Sequence, residues 1–266
     1  MVVLAIAGQK GGVGKTTVAL NLSLAMASRG WRTLLIDTDP QGAIGRSLQG
    51  GVHERSGLAE CLKGEVSLGE AALQTRCEEL AVLPVGQVSV REMDNWKPEL
   101  DRALAGLLAV AAGHFDLVVV DTMSGMSGPT QAVLRHADFL LVPLQAEPLA
   151  LRSMHQVLEA VGQLREEGVP LVLAGFLLTM LQSRQDFSLA VAQEAWSSLP
   201  AHLVLEAFVP RDAAFLESSG HGVPVGLLRK RPPAVAMVFD QIAGELEPRL
   251  GLTSEDDEDA PIPLLD

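Results

Sequence analysis

The sequence predicts an α/β domain built on a doubly wound, mostly parallel sheet. Two observations carry that prediction. Apolar runs of strand length alternate with helical patterns, and most of these runs have no polar face, as expected of strands covered on both sides by crossover helices. The first run, Met1-Val2-Val3-Leu4-Ala5-Ile6-Ala7, leads through the glycine-rich stretch Gly8-Gln9-Lys10-Gly11-Gly12-Val13-Gly14-Lys15-Thr16-Thr17 directly into a helical pattern. A chain of 266 residues, 48% of them hydrophobic, is long enough to bury one ample core.

Taken in order, strands are expected at Val2–Ala7, Thr33–Asp37, Leu80–Leu83, Leu117–Asp121, Phe139–Leu144, Leu171–Leu178 and Leu203–Val209. Helices are expected at Lys15–Ser28, Pro98–Ala112, Thr130–His136, Leu149–Glu167, Phe187–Leu199 and Ala234–Leu250. Residues 42–79 are the least legible, with short helical pieces at Ser56–Lys63 and Ser67–Thr75 inside a glycine-rich connection. In such a sheet, ligands gather where the strands end. The domain is expected to span residues 1–252, and residues 253–266 form an acidic tail. Its Ser254–Asp259 stretch is expected to be disordered, since it has no apolar area to offset chain entropy.

Charge limits the partners. The net charge is −13, and even without the six acidic residues after Gly251 the body keeps 27 acidic against 20 basic residues, or −7. Nucleic acid could therefore bind only at a local basic patch, against the global field. Two isolated cysteines, Cys61 and Cys77, suit a reduced cytosolic protein and make no metal site. The apolar N-terminus has no basic region before it and no small-residue cleavage site after it, so it reads as a strand and not as a signal peptide. The longest apolar stretch, Val169–Leu181, is interrupted by Pro170 and Gly175 and is too short to span a bilayer.

Strand, glycine-rich loop, Lys-Thr and helix together form a phosphate cradle. Glycines let the backbone N–H groups of residues 11–17 (Gly11, Gly12, Val13, Gly14, Lys15, Thr16, Thr17) converge on an anion at the helix N-terminus. Lys15 would reach the β- and γ-phosphates and the Thr16 hydroxyl would ligate Mg²⁺. The second strand ends in Asp37-Thr38-Asp39-Pro40. Read alone, that is a solvated turn. Beside a phosphate loop, one carboxylate can support the metal shell and the other can orient a water. The β-branched run Leu117–Val120 ends in Asp121, a carboxylate placed to hold Mg²⁺.

The loop departs from the general G-x-x-x-x-G-K-[ST] pattern: Gln9 stands where glycine is expected, and Lys10 adds a second lysine. Lys10-Gly11-Gly12-Val13-Gly14-Lys15-Thr16-Thr17 resembles the deviant Walker A box of the ParA/MinD group of P-loop ATPases. Three further segments extend the resemblance: Val142–Leu151, Leu177–Arg184 and Val209–Ser218, which are similar to V-P-x-Q-x-E-x-x-A-L, V-L-T-M-F-D-S-R and I-P-R-N-x-x-L-x-E-A. The resemblance favours the partition-type ParA/Soj branch and implies several roles. Asp37 falls on the position linked to the loop and Mg²⁺, and Asp39 on the one that positions the attacking water. Thr179, Met180 and Pro210 would flank adenine. Lys10 would cross a nucleotide-sandwich homodimer to the partner's phosphates, and hydrolysis of ATP would be slow until the site is completed. Where the family continues D-T-P-P, this chain has Asp121-Thr122-Met123-Ser124, which should loosen the second switch loop.

ParA-type relatives bind DNA without sequence preference once ATP has dimerised them, and a ParB-like or other partner stimulates their turnover. The residues expected to serve here are Arg211, Arg229, Lys230 and Arg231, with Arg152 and Arg184 as lesser candidates. MinD-like relatives lie on membranes through a basic C-terminal helix. The acidic tail, with Pro261 and Pro263, argues against that. The expected function is thus a cytoplasmic, nucleoid-associated switch ATPase that positions a cargo. A regulator whose ATP dimer recruits a protein and ignores DNA is the alternative, and a metabolic P-loop enzyme or reductase is more distant.

Overall fold

The computed structural model describes residues 1–93, 95–126, 128–147, 150–182, 193, 197 and 199–253. The expected tail after Thr253, Arg184 and almost all of the helix expected at Phe187–Leu199 lie outside the described residues, as does the side chain of Arg152.

The strands β1 (Val2–Ile6), β2 (Thr33–Asp37), β3 (Leu73–Gln74), β4 (Leu80–Leu83), β5 (Leu117–Asp121), β6 (Phe139–Gln145), β7 (Val172–Leu181) and β8 (Val209–Pro210) form one sheet in the order β3-β4-β2-β5-β1-β6-β7-β8. Among the described residues every pairing of neighbours is parallel except the short β3–β4 edge. This is the doubly wound α/β architecture expected from the strand composition. Side chains alternate between two cores, as the period of a strand requires. Val3 and Ala5 of β1 and Val118 and Val120 of β5 face one cluster with Leu100, Leu104, Met154 and Val157. Leu4, Ile6, Leu117 and Val119 face the other, with Val18, Leu22, Met26, Phe239 and Ile242. Helix α1 (Lys15–Ser28) and the helix Met237–Leu250 therefore cover one face, and the helices Leu58–Lys63, Trp96–Ala111 and Ala150–Glu166 cover the other. The first pair is also tied at its ends: Arg29 and the Trp31 indole both donate to the Glu247 carboxylate, at 2.7–2.8 Å.

Strand β1 lies between β5 and β6, while the chain leaving it through α1 returns to β2 on the far side of β5. Register pairs Ile6 with Asp121 and Asp37 with Asp121. The loops after β1, β2 and β5 consequently open side by side at one edge, which is where a crevice forms in sheets of this kind.

Two expectations are corrected. Leu203–Val209 is not a strand. After a 3-10 turn at Ala201–Leu203, Val204 makes one bridge to Phe176, and pairing resumes only at Val209–Pro210. Between them the N–H groups of Glu206 and Ala207 donate to the Glu245 carboxylate, at 2.9 and 2.6 Å, so a side chain on the last helix has taken the place of the strand ladder. The piece Ser67–Thr75 is likewise not one helix. Ser67 and Glu70 cap each other, the helix ends at Ala71, and Leu73–Gln74 turn back to pair with Val82 and Ala81. Among the described residues, no helix is long and apolar enough to cross a membrane.

Helix Leu58–Lys63 is held to the end of β4 by Leu58 N–H donating to the Pro84 carbonyl at 2.8 Å and Ala59 N–H to that of Val85 at 2.9 Å. A methyl group on Gly57 would lie 2.1 Å from the same Pro84 oxygen and 2.6 Å from the Gly86 nitrogen, both backbone atoms. Gly57→Ala should therefore cost about 1–3 kcal/mol of unfolding free energy in a urea titration, whereas Gly69→Ala, where a methyl meets nothing within 4 Å, should not destabilise.

Candidate nucleotide site

The loop between β1 and α1 bends through two glycines with left-handed backbones, Gly12 at φ 76° and Gly14 at φ 92°. Gly14 is the N-cap of α1, so the orphan N–H groups of the first turn open toward the loop. Lys15, 7% exposed, points back across it, and its ammonium donates to the Ser124 hydroxyl at 3.0 Å and to the Lys10 carbonyl at 3.2 Å. Burial lowers the Lys15 pKa, and the nearby Asp121 and Asp39 carboxylates oppose that shift.

The acidic strand ends converge on the same point. Asp37 and Asp121 are fully buried and adjacent in the parallel β2–β5 register. Their environments differ. Asp37 accepts hydrogen bonds from the N–H groups of Asp39 and Ile44, both at 3.0 Å, so it braces the loop that follows it. Burial still pushes its pKa up to about 7, with those hydrogen bonds in opposition. Both carboxylate oxygens of Asp121 are buried without a hydrogen-bond partner, the only such side-chain atoms among the described residues. Burial and the neighbouring Asp37 push the Asp121 pKa well above the usual carboxylate range. The Thr16 hydroxyl and the Lys15 charge pull the other way, although the hydroxyl does not close a bond of normal geometry. Orphaned oxygens at this depth fit a divalent cation, which would satisfy them and neutralise the pair. Thr16 and Asp121 are the residues placed to hold it, with Asp37 beside them.

Asp39 is half-buried in the loop after β2, where it accepts the Gln41 N–H at 2.9 Å. A separate cleft adjoins the phosphate loop. It is lined by Gly14, Thr17, Val18, Thr179, Met180, Val209, Pro210 and Phe215, and the Thr179 hydroxyl donates to the Val13 carbonyl at 2.9 Å. Met180 is the only described non-glycine residue with a positive φ, at 54°, and the β7–β8 register shifts across it. The residues expected around adenine are thus together, in a largely apolar cleft beside the phosphate loop.

Other sequence expectations are distributed differently. Lys10, half-exposed, forms an ion pair with Glu147 of its own chain. Arg211 lines the rim of the adenine-side cleft. Arg229 is bound by both carboxylate oxygens of Glu217, at 2.7 and 2.8 Å, while Lys230 and Arg231 are exposed. Sequence reasoning missed Ser124. The Ile6–Asp121 register places its loop against the phosphate loop, where Gly125 N–H also donates to the Gly8 carbonyl at 3.1 Å. The only signal was a hydroxyl three positions beyond the strand-end Asp121.

Comparison with known proteins agrees with this geometry. A family model described as "AAA domain" matches residues 1–171, from β1 to the threshold of β7. The chromosome partitioning protein ParA of Caulobacter vibrioides is 35% identical over 234 residues, covering 84% of this chain and 85% of that protein. The sporulation initiation inhibitor Soj of Bacillus subtilis is 29% identical over 246 residues, covering 90% and 95%. Among solved structures, cobyrinic acid a,c-diamide synthase from Mycobacterium smegmatis, with bound ATP analogue and magnesium, superposes with a TM-score of 0.76 at 30% identity, covering 92% of this chain and 93% of that one. Likeness of this extent, carried by a sheet and phosphate loop of the same kind, places the chain in the ParA/Soj family of P-loop partition ATPases.

Proposed function

We propose that this chain is a nucleotide-driven switch of the partition type. It binds ATP with Mg²⁺, closes into a homodimer around the nucleotides, and hydrolyses them slowly. The observation that carries the reading is the pair of unpartnered Asp121 oxygens at the floor of a phosphate loop. In the proposed complex, backbone N–H groups of residues 11–17 bind the phosphates, and Lys15 exchanges the Ser124 hydroxyl for phosphate oxygens. The metal, held by Thr16 and Asp121, would neutralise charge on the β- and γ-phosphates. Thr179, Met180 and Pro210 flank the adenine, and Asp39 orients the attacking water.

Lys10 must leave Glu147 to reach a partner's phosphates. That ion pair is partly solvent-exposed and of the strength of surface pairs, roughly 0–1 kcal/mol, so the exchange is inexpensive. Without the partner's lysine, turnover should remain at the intrinsic P-loop level, on the order of 10⁻³ s⁻¹ or below. Such a rate suits a timer more than a metabolic step. Stimulation by a ParB-like or other protein would reset the switch. Residues 1–252 are proposed to form the ATPase domain, with the acidic stretch 253–266 outside it.

The dimer is proposed to hold DNA phosphates through Lys230, Arg231 and Arg211, joined by Arg229 when Glu217 releases it, and so to ride the nucleoid within the cytoplasm while positioning a cargo. A second reading, a regulator that recruits protein and ignores DNA, is favoured by one observation: Glu217 neutralises Arg229 in a chain already carrying −13. The name of the M. smegmatis structure points to amide synthesis, and among the described residues no cysteine lines the cleft beside the phosphate loop. Cys61 and Cys77 are half-buried on other elements, and burial raises the Cys61 thiol to about 11.

Three variants separate the roles in one ATPase and nucleotide-binding series. Lys15→Ala should abolish ATP binding. Asp39→Ala should bind ATP and dimerise yet lose turnover. Lys10→Ala should bind ATP but lose the protein-concentration-dependent part of its hydrolysis. Wild-type turnover in Asp39→Ala would refute the role given to that carboxylate. DNA binding is decided by ATP-dependent retention of random-sequence duplex at about 50 and 200 mM salt, where the phosphate-contact reading predicts a loss of about three or more orders of magnitude for a dimer with six or more contacts. Absence of binding at the lower salt would leave the protein-recruiting reading.

A further inference from the structure

We propose that Trp96 is a positioning residue for Asp39, acting through the Thr38–Asp39 peptide; this rests on the reading of Asp39 as the group that orients the attacking water. Trp96 opens the helix Trp96–Ala111 on the sheet face opposite α1, is 2% exposed and lines no part of the nucleotide cleft. Its indole N–H donates to the carbonyl oxygen of Thr38 at 2.8 Å, in a fully buried bond between residues 58 apart in sequence.

A buried indole needs some acceptor, so the bond alone would say little. What matters is the peptide that it selects. The carbonyl of Thr38 and the N–H of Asp39 belong to one planar unit. Trp96 holds the carbonyl end, and the Asp37 carboxylate holds the N–H end at 3.0 Å. The preceding residue is fixed as well, because the Thr38 N–H and hydroxyl both donate to the Asp121 carbonyl, at 3.0 and 2.7 Å. Beyond Asp39 the chain turns, with Gly42 N–H donating to the Asp39 carbonyl at 2.8 Å. The direction in which the Asp39 side chain leaves the backbone is therefore set by a peptide clamped at both ends. One clamp belongs to the two strand-end aspartates. The other belongs to a helix that lines no part of the nucleotide cleft. Removing the indole N–H leaves a buried carbonyl unsatisfied, and the peptide can regain a partner only by rotating. Rotation displaces the Asp39 carboxylate, and displacement of a catalytic group by about 1 Å is enough to cost about 100-fold in rate.

The test compares wild type with Trp96→Phe in ATP turnover, KM for ATP, and the stoichiometry of binding a non-hydrolysable ATP analogue. The expected result is a fall of about ten- to a hundredfold in kcat, with KM and analogue stoichiometry unchanged. Because Phe also leaves space in the core, the measurement is repeated with Trp96 replaced by its benzothiophene isostere, in which sulfur takes the place of the N–H at nearly the same shape. A wild-type kcat in the isostere would overturn the proposal. So would a Trp96→Phe enzyme whose turnover and analogue stoichiometry fall together, which is the mark of a merely structural role. Wild-type turnover in Asp39→Ala itself would overturn the reading of Asp39, and the positioning role with it. An inactive Asp39→Ala beside a fully active isostere would remove the positioning role alone.

Discussion

Asp37 and Asp121 end neighbouring parallel strands, face each other in register, and are both inaccessible to water. Ionised carboxylates in that position repel each other and have lost their hydration, a combination that drives the pKa of such groups upward. The protein answers the cost unevenly. Two backbone N–H groups attend Asp37, whereas Asp121 has none, and Lys15 is too engaged with Ser124 and the Lys10 carbonyl to compensate fully. The nucleotide-free fold thus holds at its centre two carboxylates whose ionisation is disfavoured. A bound metal–nucleotide complex would offset that cost, and the parallel register of β1, β2 and β5 keeps the two carboxylates side by side.

Around this pair, the loops that would respond to a nucleotide are joined to one another by one or two hydrogen bonds each. Ser124 and Gly125 tie the loop after β5 to the phosphate loop, and Thr179 ties β7 to it. Thr38 reports on Asp121, and Trp96 carries the position of the loop after β2 out to the opposite helical layer. Each link is cheap to exchange, of the order of 1 kcal/mol. Their number makes the nucleotide site a junction at which a small local change is felt by several elements. Lys10 follows the same economy in the proposed cycle, since its hold on Glu147 is a partly exposed pair that a phosphate can replace.

Much of this was legible in the sequence, for identifiable reasons. The strand-to-helix stretch Gly11–Thr17 and the apolar strands ending in Asp37 and Asp121 are local signals, and the sheet was readable because most of its strands have no polar face. The adenine-side residues Thr179, Met180 and Pro210 were accessible only through family resemblance; nothing in their own chemistry marks them. Other features depend on tertiary competition that no local pattern records. Leu203–Val209 has strand composition, yet Glu245 captures its N–H groups. Arg229 reads as a free cation in a basic run until Glu217 is found against it. Trp96 looks like any core tryptophan until the identity of its acceptor is known.

We propose that the bound metal offsets the cost of burying the Asp121 charge. That offset is tested most directly by the melting temperature of wild type and Asp121→Asn, with and without Mg²⁺ and a non-hydrolysable ATP analogue, near pH 8 and near pH 6. A carboxylate whose folded pKa is raised stabilises the fold when protonated, and that contribution is lost as pH rises from its unfolded value of 3.8 through its folded value. Asparagine removes the charge. The nucleotide-free variant should therefore melt above wild type near pH 8, by a margin that shrinks toward pH 6, and it should gain little from Mg²⁺ and analogue where wild type gains strongly. A variant that melts below wild type at both pH values, or that is stabilised by Mg²⁺ and analogue as much as wild type, would contradict the account.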